Sequence, residues 1–167
     1  HISINLNLDK ELKNIANKEN QYTIPIFIPH KGCKNECVFC NQKKISGKVK
    51  SVSTSDVDNE IKNYLKYFNN TNKCKKIQIA FFGGSFTGIS IKEQIEYLKV
   101  ANKYINNKKV DSIRISTRPD YIYPYILKIL KKYNVETIEL GVQSMDNEVL
   151  NASKRGHLKK DVMRASR

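Results

Sequence analysis

Short apolar runs alternate with amphipathic segments along most of this chain, and that alternation limits what it can fold into more than any other feature. Residues 24–29 (IPIFIP) predict a buried strand, and residues 76–82 (KIQIAFF), 111–116 and 135–142 predict three more. Between them, residues 55–69 carry Val57, Ile61, Tyr64, Leu65 and Phe68 at helical spacing, with Ser55 as the expected N-cap. Ser90 and Glu93 form a capping-box pattern ahead of Ile91, Ile95, Leu98, Ala101 and Ile105, which fall on one helical face. Residues 121–133 predict a third helix that tolerates Pro124 in its first turn. A further helix is expected to start near Ser144 or Asp146, and another over residues 159–167.

Strands that alternate with helices pair in parallel through right-handed crossovers. The expected class is therefore α/β, and with four strands the sheet cannot close an eight-stranded barrel. An incomplete, curved half-barrel of parallel strands follows. Residues 1–22 are expected to be a lead-in segment and residues 23–167 the core domain, cut short on its C-terminal side. The first residue is His1 rather than Met, which fits a piece of a longer protein. In folds of this kind the loops after the strands carry the chemistry. Here those loops hold GCKNECVFC, GGSFTG, STRPD and GVQS.

Three of the four cysteines, Cys33, Cys37 and Cys40, lie within eight residues. A secreted disulfide framework spreads its cysteines through the fold, so crowding points to metal. Thiolates on a tight loop can converge on one iron–sulfur cluster, with Gly32 relaxing the turn. Three ligands for four irons leave one iron open to a further ligand. Cys74, before the second strand, should lie far from the loops at its C-terminal end. A zinc site built from His30 and the three cysteines is the competing reading of the same spacing.

The Cys33–Cys37–Cys40 spacing, with Phe39 before the last cysteine, resembles the signature of the radical S-adenosylmethionine superfamily. That resemblance implies a (β/α)6 partial barrel, with a 4Fe–4S cluster held by these cysteines in the loop after the first strand. It implies an enzyme in which S-adenosylmethionine chelates the open iron and is cleaved reductively to a 5′-deoxyadenosyl radical, which abstracts hydrogen from substrate. An external one-electron donor of the flavodoxin or ferredoxin type is implied with it. Gly83, Gly84 and Ser85 match the segment that binds the methionine amino group, although Ser85 stands where Glu is common. The STRPD segment with Ser116, the GVQS segment with Gln143, and the later Lys154-Arg155-Gly156-His157 together resemble the radical domain of the Elongator catalytic subunit, a tRNA-modifying protein. Gln143 and Arg155 also match residues that contact the ribose and carboxylate of S-adenosylmethionine in anaerobic coproporphyrinogen oxidase. Phe39, Gly83, Gly84, Ser85, Ser116, Gln143 and Arg155 are thus the implied cofactor contacts. No catalytic residue toward substrate is assigned, and His157 fits either a substrate-side acid or a surface residue.

The net charge of +14, from 30 basic and 16 acidic side chains, allows an anionic partner, and the Elongator-like resemblance makes tRNA the candidate. Most of the basic residues are lysines scattered along the chain, as a lysine-rich composition alone would give. No apolar run reaches the roughly 18 residues of a membrane span, and the N-terminus lacks a signal-peptide core, so a cytoplasmic protein with no membrane partner is expected. Two alternatives stand beside the tRNA reading: a coproporphyrinogen-oxidase-like radical enzyme, and a non-catalytic, zinc-stabilised module that binds nucleic acid. A nucleotide-binding loop at GGSFTG is disfavoured because it lacks the Gly-Lys-Ser/Thr ending of a P-loop.

Overall fold

The structure is a computed structural model, and it describes residues 2–5, 21–28, 37–38, 52–69 and 76–166. Cys33, Phe39, Cys40, Cys74, His30 and the lysines between 43 and 50 lie outside the described residues.

The expected alternation is present. Strands β2 (Gln21–Ile28), β3 (Lys76–Gly83), β4 (Ser112–Thr117) and β5 (Val135–Leu140) pair in parallel in chain order. Helices α1 (Thr54–Asn69), α2 (Ile91–Asn106) and α3 (Pro124–Lys132) make the crossovers. Two short helices follow β5: α4 (Asn147–Ala152) and α5 (Lys159–Ala165).

Side chains alternate across a strand, so each strand here has two different faces. Ile24, Ile26 and Ile28 of β2 join Ile79 and Phe81 of β3, Ile113 and Ile115 of β4, and Ile138 and Leu140 of β5 in one core. That face is covered by Val57 and Ile61 of α1, Leu98 and Ala101 of α2, and Ile126 and Leu130 of α3. Leu98 and Leu130 are fully buried, as apolar residues at helical spacing should be when their stripe faces a sheet. The other face carries Gln78, Arg114, Ser116 and Glu139, which bond to one another. Arg114 donates to Gln78 Oε1 at 2.7 Å and to Glu139 Oε1 at 2.8 Å, and Ser116 donates to Glu139 Oε2 at 2.8 Å.

Three local expectations shift. A fifth strand, β1 (Ile2–Asn5), pairs antiparallel with β5 at the sheet edge, in register Ile2 to Leu140, within what the sequence suggests is only a lead-in. Ser53, not Ser55, caps α1: its hydroxyl accepts from the Asp56 N–H at 3.2 Å while Asp56 accepts from the Ser53 N–H at 2.8 Å. The third helix starts at Pro124 rather than residue 121. Proline restricts the residue before it to extended backbone, and Tyr123 has φ −132° and ψ 154°. Ser90 caps α2 as expected, accepting from the Glu93 N–H at 3.2 Å.

Candidate active site

The residues that follow β3, β4 and β5 lie at one edge of the sheet with the end of β2 and with Cys37 and Val38, and they are tied together pair by pair. Between β2 and β3, the Gly84 N–H donates to the Ile28 carbonyl at 3.1 Å. Gly83 has φ +111°, and a Cβ there would stand 2.6 Å from the Phe27 ring and 2.7 Å from the Ile28 carbonyl oxygen. Only glycine fits both the backbone and the space. Gly84 and Ser116 line a shallow hollow with Ile28, Phe82 and Phe86.

Between β3 and β4, three hydroxyls cluster out of water. Thr117 Oγ1 lies 2.8 Å from Ser85 Oγ and 2.5 Å from Thr87 Oγ1, and Ser85 Oγ also accepts from the Arg118 N–H at 3.2 Å. Ser85 is 1% exposed. Its side chain therefore fixes the GGSFTG loop onto the end of β4. Neither Thr87 nor Thr117 stands out in the sequence, because an isolated hydroxyl at a strand end has no periodic signal.

Between β4 and β5, the Gly141 N–H donates to the Thr117 carbonyl at 2.8 Å. Gln143, in the following loop, has φ +67°, a backbone conformation uncommon for a residue with a side chain. Arg155 spans the junction: Nη2 donates to the Gly141 carbonyl at 2.6 Å and Nη1 to Cys37 Sγ at 3.5 Å. The Val38 N–H donates to the Ser153 carbonyl at 3.1 Å, so Val38, next to Cys37, is held by backbone at the end of α4. Of the predicted site residues, the structure thus brings Cys37, Gly83, Gly84, Ser85, Ser116, Gln143 and Arg155 to the C-terminal strand edge.

The STRPD and KRGH segments have an observed role beneath this edge. Arg118, 2% exposed, donates from Nε and Nη2 to the two carboxylate oxygens of Asp120, at 2.9 Å each. His157 is buried as well, which excludes the surface reading. Its Nε2 lies 3.2 Å from the Val142 carbonyl, which can only accept, so Nε2 carries the proton. Its Nδ1 is 3.9 Å from Asp120 Oδ1. The loop that carries Gln143 is therefore held from below.

Burial, with Arg155 and Arg118 nearby, pushes the His157 pKa below its ordinary value, against the pull of Asp120. The unfolded chain then binds a proton near pH 6.5 that the folded protein refuses. Stability from this group is complete above about pH 6.5 and is lost as pH falls from there toward the folded value. Urea midpoints at pH 7.5 and 5.5 check this. The wild type should lose more stability on acidification than His157→Gln, and equal losses would contradict it.

A family model described as the Radical SAM superfamily matches residues 27–167. A tRNA uridine(34) acetyltransferase of Methanocaldococcus infernus is 30% identical over 108 residues, 54% of this chain and 20% of the relative. An oxygen-independent coproporphyrinogen-III oxidase-like protein of Bacillus subtilis is 33% identical over 85 residues, 50% of this chain and 17% of the relative. Among solved structures, archaeal Methanocaldococcus infernus Elp3 with an N-terminal deletion superposes with a TM-score of 0.61 at 19% identity, over 89% of this chain and 35% of that one. The fold is shared with that structure, and the chain spans only 17–35% of the length of these three proteins.

Proposed function

The chain belongs to the radical SAM superfamily, and on that premise we propose that it binds a 4Fe–4S cluster through Cys33, Cys37 and Cys40 and S-adenosylmethionine beside it, as the radical-generating part of a tRNA-modifying enzyme. The observation that carries this reading is the position of Cys37. It is buried against Arg155, whose other guanidinium arm holds the Gly141 carbonyl at the start of the loop that bears Gln143. A guanidinium N–H directed at its sulfur suits the negative charge of a cluster thiolate. Gly84, just after β3, lines the shallow hollow with Ser116, where a ligand can approach backbone without meeting a side chain.

When bound, the cluster supplies the single electron for reductive cleavage of S-adenosylmethionine, drawn from an external flavodoxin- or ferredoxin-like donor. The chain's own residues bind and orient. Gly83 and Gly84 offer backbone to the methionine amino group, with Ser85 locking their loop. Gln143 is proposed to hold the ribose, Arg155 the carboxylate, and Ser116 and Phe39 the remaining wall. The tRNA substrate is supported by the acetyltransferase relative. The coproporphyrinogen-oxidase-like alternative, supported by the Bacillus subtilis relative, shares the cofactor and differs in substrate.

Anaerobic reconstitution should give a brown protein with about four irons and labile sulfide per chain. A colourless protein holding one zinc would contradict the proposal. For the substrate, tRNA affinity should fall with added salt. Neutralising Lys43, Lys44, Lys48 and Lys50 should reduce the salt slope by roughly 3 if all four meet phosphate. No preference for tRNA over heparin would remove the nucleic-acid branch and leave the radical chemistry standing.

A further inference from the structure

We propose that Arg155 is a positioning residue for the cluster, whose guanidinium donates to the Cys37 sulfur and thereby makes the cluster easier to reduce. This rests on the cluster reading above and adds a role that binding of a carboxylate does not supply.

The contact is built rather than incidental. Nη1 lies 3.5 Å from Cys37 Sγ, and Nη2 lies 2.6 Å from the Gly141 carbonyl oxygen. The guanidinium is a rigid planar fork, so fixing one arm on Gly141 aims the other. Both side chains are buried, with Arg155 at 8% and Cys37 at 6% exposure. Gly141 gives the fork its space, since a Cβ there would stand 2.9 Å from Nη2. The backbone delivers the side chain through a tight reversal. Lys154 has φ +53° and Gly156 φ +79°, and the Arg155 N–H donates to the Leu150 carbonyl at 3.0 Å.

Reduction adds an electron to a cluster whose thiolates are already negative. A fixed positive charge and an N–H···S bond stabilise the reduced form more than the oxidised one. Hydrogen bonds to the sulfurs and local charge are among the factors that set cluster potentials. Burial strengthens the effect, because little water screens it.

The test is an anaerobic, EPR-monitored redox titration of the reconstituted full-length protein without S-adenosylmethionine, so that any carboxylate contact is absent. Arg155→Met should make reduction about tenfold less favourable, a shift of about 59 mV to more negative potential for one electron. Arg155→Lys, which keeps the charge, should fall between that variant and the wild type. Gly141→Ala, which crowds the fork but keeps the arginine, should shift the potential in the same direction. That variant decides the matter if Arg155→Met does not fold or hold iron. A potential equal to that of the wild type, at full iron and sulfide content, would overturn the inference while leaving the radical-enzyme reading intact. A wild type that takes up no cluster would overturn both.

Discussion

Replacing any one of Cys33, Cys37 or Cys40 by Ala is expected to leave the reconstituted protein without its cluster, with iron and labile sulfide falling from about four per chain to near zero. The three cysteines lie within eight residues, and the proposed cluster would already leave one iron without a cysteine. Loss of another ligand leaves half of the irons unheld by protein. Cys37 has a second reason to be sensitive, since its sulfur sits against the Arg155 guanidinium in a buried place where alanine offers no charge in return. Cys74→Ala should retain full iron and colour. His30→Ala separates iron from zinc: it should change nothing in a three-cysteine cluster site and should weaken a zinc site of three cysteines and one histidine. Loss of the cluster in Cys74→Ala, or loss of bound metal in His30→Ala, would contradict the ligand assignment.

Asp120→Ala should lower folding stability by about 3 kcal/mol, the low end of the cost of removing one partner from a buried ion pair, because Arg118 is buried while Asp120 is one-fifth exposed. Both Asp120 oxygens accept from Arg118, whose side chain is 2% exposed. The arginine also stacks over the Tyr121 ring, at 5.6 Å to its centroid, so it cannot swing to water without giving up that contact. Total stabilities of about 5–15 kcal/mol make such a loss severe. The urea midpoint should fall with little change in slope. Asp120→Asn keeps one acceptor oxygen and the side-chain volume, and should lose less. A drop below about 1 kcal/mol for Asp120→Ala would show that the pair is solvated and does not support the loop above it.

The parts of the fold legible in the sequence are those written in local periodicity. The four parallel strands and three crossover helices each carry their own apolar pattern, and Ser90 with Glu93 marks a helix start that the structure keeps. Strand β1 shows only a short alternation of Ile and polar residues, and its partner β5 lies more than a hundred residues away, so nothing local reveals the pairing. The cysteine spacing and the motifs GGSFTG, STRPD and GVQS are legible as candidates, because in the sequence each follows its own predicted strand. Their mutual contacts are not readable in the same way. Arg155 reaches Cys37 across 118 positions, and Ser85 meets Thr117 across 32. The polar row of Gln78, Arg114 and Glu139 did have a signal: each interrupts an apolar strand, and the three bond to one another through Arg114 on the face opposite the apolar core.

The most direct test of the radical reading is the fate of S-adenosylmethionine itself. The full-length protein, reconstituted and reduced under anaerobic conditions, should convert it to 5′-deoxyadenosine and methionine in roughly equal amounts. The yield should depend on the reductant and vanish in the Cys37→Ala variant. Iron-loaded, reduced protein that leaves S-adenosylmethionine intact with tRNA present, or forms no more 5′-deoxyadenosine than Cys37→Ala, would contradict the account.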